Sequence, residues 1–210
     1  MLRVLIADDH AILRRGLIEI LAHELQGVVC GEAENAQQVL AQAQRHAWDL
    51  VILDVNMPGR SGVEVLRDLK RLYPKLPVLV LSMYPEDQYG RRLLKAGASG
   101  YMNKDSAPEE LIKAIRKVLA GGRYVSPALA EELALELNEN CERPLHEILS
   151  DREFEVLRMI ALGRTITQIA EELHLSVTTV STYRARILEK MNMTNTAELM
   201  HYALVSHLVD

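Results

Sequence analysis

Short apolar or β-branched runs alternate with longer stretches of helical periodicity through the first 121 residues of the chain. Arg3 to Ala7, Val28 to Ala33, Leu50 to Asp54, Val78 to Ser82 and Gly100 to Asn103 are of the first kind. His10 to Glu24, Ala36 to Arg45, Val63 to Leu72, Glu86 to Ala96 and Pro108 to Ala120 are of the second. A strand apolar along its whole length is buried on both faces, and strands separated by helices pair in parallel through right-handed crossovers that lay helices over each face. The pattern therefore predicts an α/β domain over residues 1–121, a doubly wound five-stranded parallel sheet. Past the helix-stop signal Gly121-Gly122 the rhythm breaks. Pro127, Pro144 and the polar run Glu136 to Arg143 surround an apolar patch at Leu129 to Leu137, so residues 122–148 read as a linker with one short helix. From residue 149 to residue 210 no strand signal returns. Ser150 can cap a helix starting at Asp151, with Glu153 in capping-box position and Phe154, Leu157, Ile160 and Ala161 at helical spacing. Ile166 to Leu173, Val177 to Met191 and Thr196 to His207 follow, giving a small all-α domain.

Composition narrows the class. The 210 residues are 49% apolar and 25% charged, as in an ordinary globular chain. No run reaches the roughly 18 apolar residues of a membrane span, and the start lacks a secretory leader pattern, so a cytoplasmic protein with no membrane partner is expected. Cys30 and Cys141 lie far apart and match no metal or redox spacing, which makes them reduced thiols. A net charge of -5 argues against nucleic acid, a partner that leaves a basic footprint. Position reverses that inference: residues 122–149 hold 2 basic against 6 acidic groups, a balance of -4, while residues 176–190 hold 3 basic groups against Glu189 alone.

In an open parallel sheet, ligands bind at the carboxyl ends of the strands. Here those ends are Asp8-Asp9, Asp54, Ser82 and Lys104. An Asp after a strand is often only a helix cap, and a single Lys is usually solvated; four such ends bearing complementary groups are another matter. Three carboxylates together repel unless a cation sits among them, and Mg²⁺ fits, since it takes oxygen ligands from one or two carboxylates plus phosphate. The chemistry indicated is phosphoryl transfer onto a carboxylate. Asp54, alone at its strand end, is the candidate nucleophile, with Asp8 and Asp9 holding the ion.

Leu5-Ile6-Ala7-Asp8-Asp9-His10, then Asp49 through Asp54 to Val55-Asn56-Met57-Pro58-Gly59, Leu79-Val80-Leu81-Ser82, and Gly97 through Tyr101 to Lys104-Asp105 closely resemble the receiver domain of two-component response regulators. The resemblance implies that Asp54 accepts a phosphoryl group from the phosphohistidine of a sensor histidine kinase. It implies further that Asp8, Asp9, Asp54 and the backbone carbonyl of Asn56 bind Mg²⁺, and that Lys104 and Ser82 contact the phosphoryl oxygens. Such a receiver is no enzyme in the ordinary sense, although it catalyses its own phosphoryl acceptance and slow autodephosphorylation. Ser82 and Tyr101 would act as the switch: Ser82 moves toward the phosphate, Tyr101 turns inward, and the face near residues 86–120 is remodelled. Met83 departs from the small residue of many receivers and would restrict water reaching the phosphoaspartate.

In the second half, Ile169, Leu173, Leu175, Val180, Ile187 and Met191 form the inner side of a helix, turn and helix. Spacing alone fits any three-helix bundle. On the outer stripe, Thr178, Ser181, Thr182 and Ala185 can approach base edges, while Arg184, Arg186 and Lys190 can reach phosphates. Leu149 to Glu153, Glu155 to Leu157, Ile169-Ala170, Thr179 to Arg184, Ile187 to Met191 and Glu198-Leu199 resemble the LuxR-type helix-turn-helix, and the whole chain resembles a NarL/FixJ-type response regulator. That resemblance adds Thr179 to the DNA-contacting set. It implies promoter DNA as a partner, RNA polymerase as a further one, and a homodimer on phosphorylation, with Leu199, Ala203 and Leu204 of the last helix available for pairing. Ser181 stands where many relatives have lysine, Tyr183 where histidine is frequent, and Phe154 where a charge is common. Phe154 is then either an exposed contact or a shifted core residue. Two other classes compete. An aspartate-nucleophile phosphatase places an acid two positions after its nucleophile, where this chain has Asn56. A receiver driving protein interactions, without sequence-specific DNA binding, would tolerate Arg184→Ala.

Overall fold

The computed structural model of the chain describes residues 1–57, 60–83, 86–127, 129–131 and 144–209. Two compact units, Met1–Glu139 and Asn140–Asp210, make up the chain. In the first, β1 (Arg3–Ala7), β2 (Val29–Ala33), β3 (Leu50–Asp54), β4 (Val78–Ser82) and β5 (Gly100–Asn103) form one parallel sheet in the order β2-β1-β3-β4-β5. The helices α1 (Ala11–Glu24), α2 (Ala36–Arg45), α3 (Gly62–Leu72), α4 (Glu86–Lys95) and α5 (Pro108–Leu119) alternate with the strands. The expected doubly wound fold is present.

Strand periodicity then places the chemistry. Val4 and Ile6, Leu50 and Ile52, Leu79 and Leu81, and Met102 share one buried cluster with Leu17 and Leu21 of α1 and Ile112 and Ile115 of α5. Successive strand residues face opposite ways. The same alternation carries Asp8, Asp54 and Lys104 onto the face of that cluster, at its carboxyl end, whereas Ser82 and Tyr101 belong to the opposite face.

Beyond α5 the chain returns to the sheet. Tyr124 bridges Gly100 in parallel fashion: its N–H donates to Ser99 O at 3.0 Å, and its carbonyl accepts from Tyr101 N–H at 3.1 Å. The approach requires glycine, because a Cβ at Gly100 would lie 2.8 Å from the Tyr124 carbonyl oxygen. Tyr124 Oη donates to Glu110 of α5, and Ser126 N–H donates to Glu86 of α4 at 3.0 Å. Leu129 is buried beside Gly90, where a Cβ would fall 2.7 Å from its Cδ2. This segment thus spans α5, β5 and α4. The rest of the apolar patch to Leu137, the run Glu136 to Arg143, Cys141 and Pro58-Gly59 lie outside the described residues; Cys30 is a free thiol.

The second unit contains a 3-10 turn (Leu145–Ile148), α6 (Asp151–Ala161), α7 (Ile166–Glu172), α8 (Val177–Lys190) and α9 (Thr196–Val205). Ser150 and Glu153 form the expected capping box on α6, and Thr165 and Gln168 form another on α7. His174, with φ of 52°, makes the left-handed residue of the turn between α7 and α8. Ile169, Leu173, Val180, Ile187 and Met191 are buried as expected; Leu175 is half-buried. Phe154 proves to be core, 1% exposed, with the His146 ring 5.6 Å from its own. The expectation for the last helix needs correction. Leu199 and Ala203, one helical turn apart, are fully buried in the unit, and the large apolar residues that α9 exposes are Leu204 and Val205. Among the described residues no helix is long and apolar enough to cross a membrane.

Candidate functional site

At the carboxyl edge of the sheet, Lys104 Nζ lies 2.6 Å from Asp8 Oδ2 and 2.8 Å from Asp54 Oδ2. All three side chains are enclosed, 7%, 3% and 1% exposed respectively. Lys104 is the residue after β5, and its N–H donates to Ser82 O at 2.8 Å, locking the ends of β4 and β5 together. Asp54 Oδ1 accepts from Asn56 N–H at 3.1 Å, so the turn after β3 holds the carboxylate it follows. Asp9, exposed, completes the acidic set, while Ser82 and Tyr101 are both buried. Met83 is more than half exposed beside them.

Burial pushes the Asp54 carboxyl above the usual carboxylate range, with Lys104 pulling the other way. For Lys104 burial acts to lower the value, but the Asp54 and Asp8 carboxylates outweigh it and hold the ammonium above the ordinary lysine range. Lys104 is therefore cationic at neutral pH and fixed between two acids. One ammonium does not balance Asp8, Asp9 and Asp54. Ligand atoms of these three and of His10 all lie within 4.8 Å of one another. A donor set dominated by carboxylates at that spacing fits a hard divalent cation.

Neither His10, which closes the first motif, nor Arg14 is among the site residues expected from the sequence. His10 Nδ1 is 2.8 Å from Asp9 Oδ1 and 3.1 Å from Asp8 Oδ1, and its N–H donates to Asp8 Oδ1 at 2.8 Å. Its place directly after Asp8-Asp9 was the available signal.

In the second unit, Thr178, Ser181, Thr182, Ala185, Arg186 and Lys190 are exposed along α8, and Thr179 is half-buried. The hydroxyl of Thr182 donates back to Thr178 O at 2.9 Å. Thr179 N–H donates to the capping oxygen of Ser176. Two of the three candidate phosphate contacts are tied from within: Arg184 Nε donates to Thr196 Oγ1 at 2.9 Å, and Lys190 Nζ sits 2.6 Å from Glu153 Oε2. Glu153 is buried, which opposes its ionisation, yet hydrogen bonds from Lys190 and Ser150 and the charge of Lys190 hold its carboxyl below the usual range. These ties fix both cations to α6 and α9, so the outer stripe of α8 is presented on a braced helix.

The chain thus joins a parallel sheet with an acid-and-lysine site at its carboxyl edge to a braced helix-turn-helix. The family model described as response regulator receiver domain matches residues 4–116, and that of bacterial regulatory proteins, luxR family, matches residues 147–203. The chain belongs to the response regulators, with a receiver domain and a LuxR-type DNA-binding domain. In particular, it is 40% identical over 213 residues to response regulator GacA of Pseudomonas aeruginosa, covering 100% of this chain and 99% of that one. RcsB from Salmonella enterica serovar Typhimurium, solved on promoter rprA in the presence of the phosphomimetic BeF3-, is 28% identical with a TM-score of 0.64, covering 96% of this chain and 98% of that one. A structure of two RcsB dimers bound to two parallel DNAs is 27% identical with a TM-score of 0.60, over 99% of each chain.

Proposed function

We propose that Asp54 accepts a phosphoryl group from the phosphohistidine of a sensor histidine kinase, and that the phosphorylated protein binds promoter DNA as a homodimer through the outer side of α8. The observation that carries this reading is the convergence of Asp8, Asp54 and Lys104, buried and within 2.8 Å contacts, on one sheet edge. An Asp54 carboxylate oxygen forms the new bond to phosphorus as the bond to the histidine nitrogen breaks, and the imidazole leaves with that electron pair. Lys104 offsets charge on the equatorial oxygens as it builds. Asp8, Asp9, Asp54 and the carbonyl of Asn56 would hold Mg²⁺, which when bound neutralises charge on the transferring group. The Ser82 hydroxyl then donates to a phosphoryl oxygen. Phosphorylation adds about -1.5 to -2 charges, and the movement of Ser82 is coupled to Tyr101, which shares its face of the sheet.

Dimer formation on DNA is supported by the RcsB assemblies, and Leu204 and Val205 of α9 offer exposed apolar area for a symmetric contact. Arg186 is the exposed cation of α8 with no tie to α6 or α9 among the described contacts. Arg186→Ala is expected to weaken binding evenly across sequences and to reduce the salt dependence by about one counterion, as measured by titration at several salt concentrations. An unchanged slope removes Arg186 from the interface. The whole reading is tested by footprinting genomic fragments with and without acetyl phosphate. Protection over paired half-sites that strengthens with the phosphodonor is expected; protection indifferent to it sinks the switch, and no protection at all favours the protein-interaction class.

A further inference from the structure

Arg14 is a buried cation that this mechanism leaves unused: its side chain is 5% exposed, one turn into α1. Its three nitrogens point to three different elements of the site's support. Nη1 donates to the main-chain carbonyl of Asp8 at 2.7 Å. Nε donates to Glu32 of β2 at 3.0 Å, and Nη2 donates to Glu34, just past β2, at 2.7 Å. A guanidinium is a rigid planar fork, so two corners anchored on carboxylates determine where the third one aims. The Asp8 N–H donates to Ala33 O at 3.1 Å. Both main-chain polar groups of Asp8 are therefore held from the β2 side.

The need for such a hold follows from strand geometry. Consecutive residues of an extended chain point to opposite faces, yet ligand atoms of Asp8 and Asp9 lie within 4.8 Å of each other and of Asp54. The chain must leave the extended conformation between these two acids and keep the bend. We propose that Arg14 is a positioning residue for the divalent-cation site, fixing the peptide between Asp8 and Asp9 so that the two carboxylates meet the ion together. The inference rests on the reading that these acids bind a divalent cation.

Charge alone predicts the opposite effect of removing Arg14. A cation taken away from beside a metal site strengthens metal binding by simple Coulomb attraction, whereas a lost orienting contact weakens it, commonly by about 10- to 100-fold. The sign of the change is thus diagnostic. Mg²⁺ is titrated into the full-length chain by isothermal calorimetry for the parent, Arg14→Gln and Arg14→Lys, with the melting temperature followed in parallel. Arg14→Gln is expected to weaken Mg²⁺ binding by about tenfold or more. Arg14→Lys keeps the charge and loses the fork, so a smaller weakening is expected, and it carries the test where Arg14→Gln does not fold. Mg²⁺ affinity equal to or above the parent's in a folded variant, with or without a lower melting temperature, makes Arg14 a purely structural clamp and overturns the proposal. A parent that takes up no Mg²⁺ overturns the cation site itself, and the role of Arg14 with it.

Discussion

Asp54→Asn is expected to reduce phosphoryl uptake from radiolabelled acetyl phosphate by at least about a thousandfold, because an amide retains the shape of the side chain and loses the nucleophile. The fold is expected to survive. Lys104 keeps Asp8 at 2.6 Å, and the charge removed is one that burial already opposes, as the raised Asp54 carboxyl indicates. Circular dichroism and melting should therefore match the parent while label incorporation vanishes. The DNA affinity of this variant in the presence of phosphodonor is expected to equal that of the unphosphorylated parent. Tightening as large as the parent's would move the acceptor to another residue, and loss of the melting transition would show that the Asp54–Lys104 pair is structural first.

Phe154→Ala is expected to unfold the second unit while sparing the first. Phe154 is 1% exposed and packs near the His146 ring, which in turn meets Tyr202 of α9 through Nδ1 and Oη at 2.9 Å. Deleting a buried phenyl ring costs about 3–5 kcal/mol. A unit of this size buries a smaller share of its surface than a larger domain does, and total stabilities run to only about 5–15 kcal/mol. Hydrogen exchange on the full chain reads both units at once. Loss of protection in α6, α8 and α9 is expected, with the strands of the sheet still protected and acetyl phosphate still taken up. Protection retained throughout α6 would mean that the ring is replaceable in its pocket.

Much of this architecture is local in origin and so could be read from the chain. Apart from β2, which carries Gly31 and Glu32, the strands are largely apolar runs, and Asp8, Asp54, Ser82 and Lys104 stand where such runs end, so parity along a strand fixes their faces. The caps at Ser150 and Ser176 are likewise short-range signals. What stayed hidden depends on partners distant in sequence. Arg14 reads as one more cation of an amphipathic helix, and its burial is decided by Glu32 and Glu34, 18 and 20 residues further on. Lys190 looks free for phosphate until Glu153, 37 residues before it, is brought alongside. Leu199, Ala203 and Leu204 are equally apolar in sequence, and only the packing of α9 on α6 separates the buried pair from the exposed residue.

The return of the chain to the sheet after α5 bears on how output modules can be exchanged. Tyr124 lies along the outer edge of β5, and Leu129 fills the space left by Gly90. A chimera joined at Gly121 would leave the sheet of the first unit with an open strand edge and an uncovered apolar hollow, both invitations to self-association. Moving the junction beyond residue 131 carries the native cover along. Solubility of the two chimeras, compared by sedimentation, is expected to differ in favour of the longer graft. The transferable cassette is therefore longer than the run of strand and helix repeats suggests.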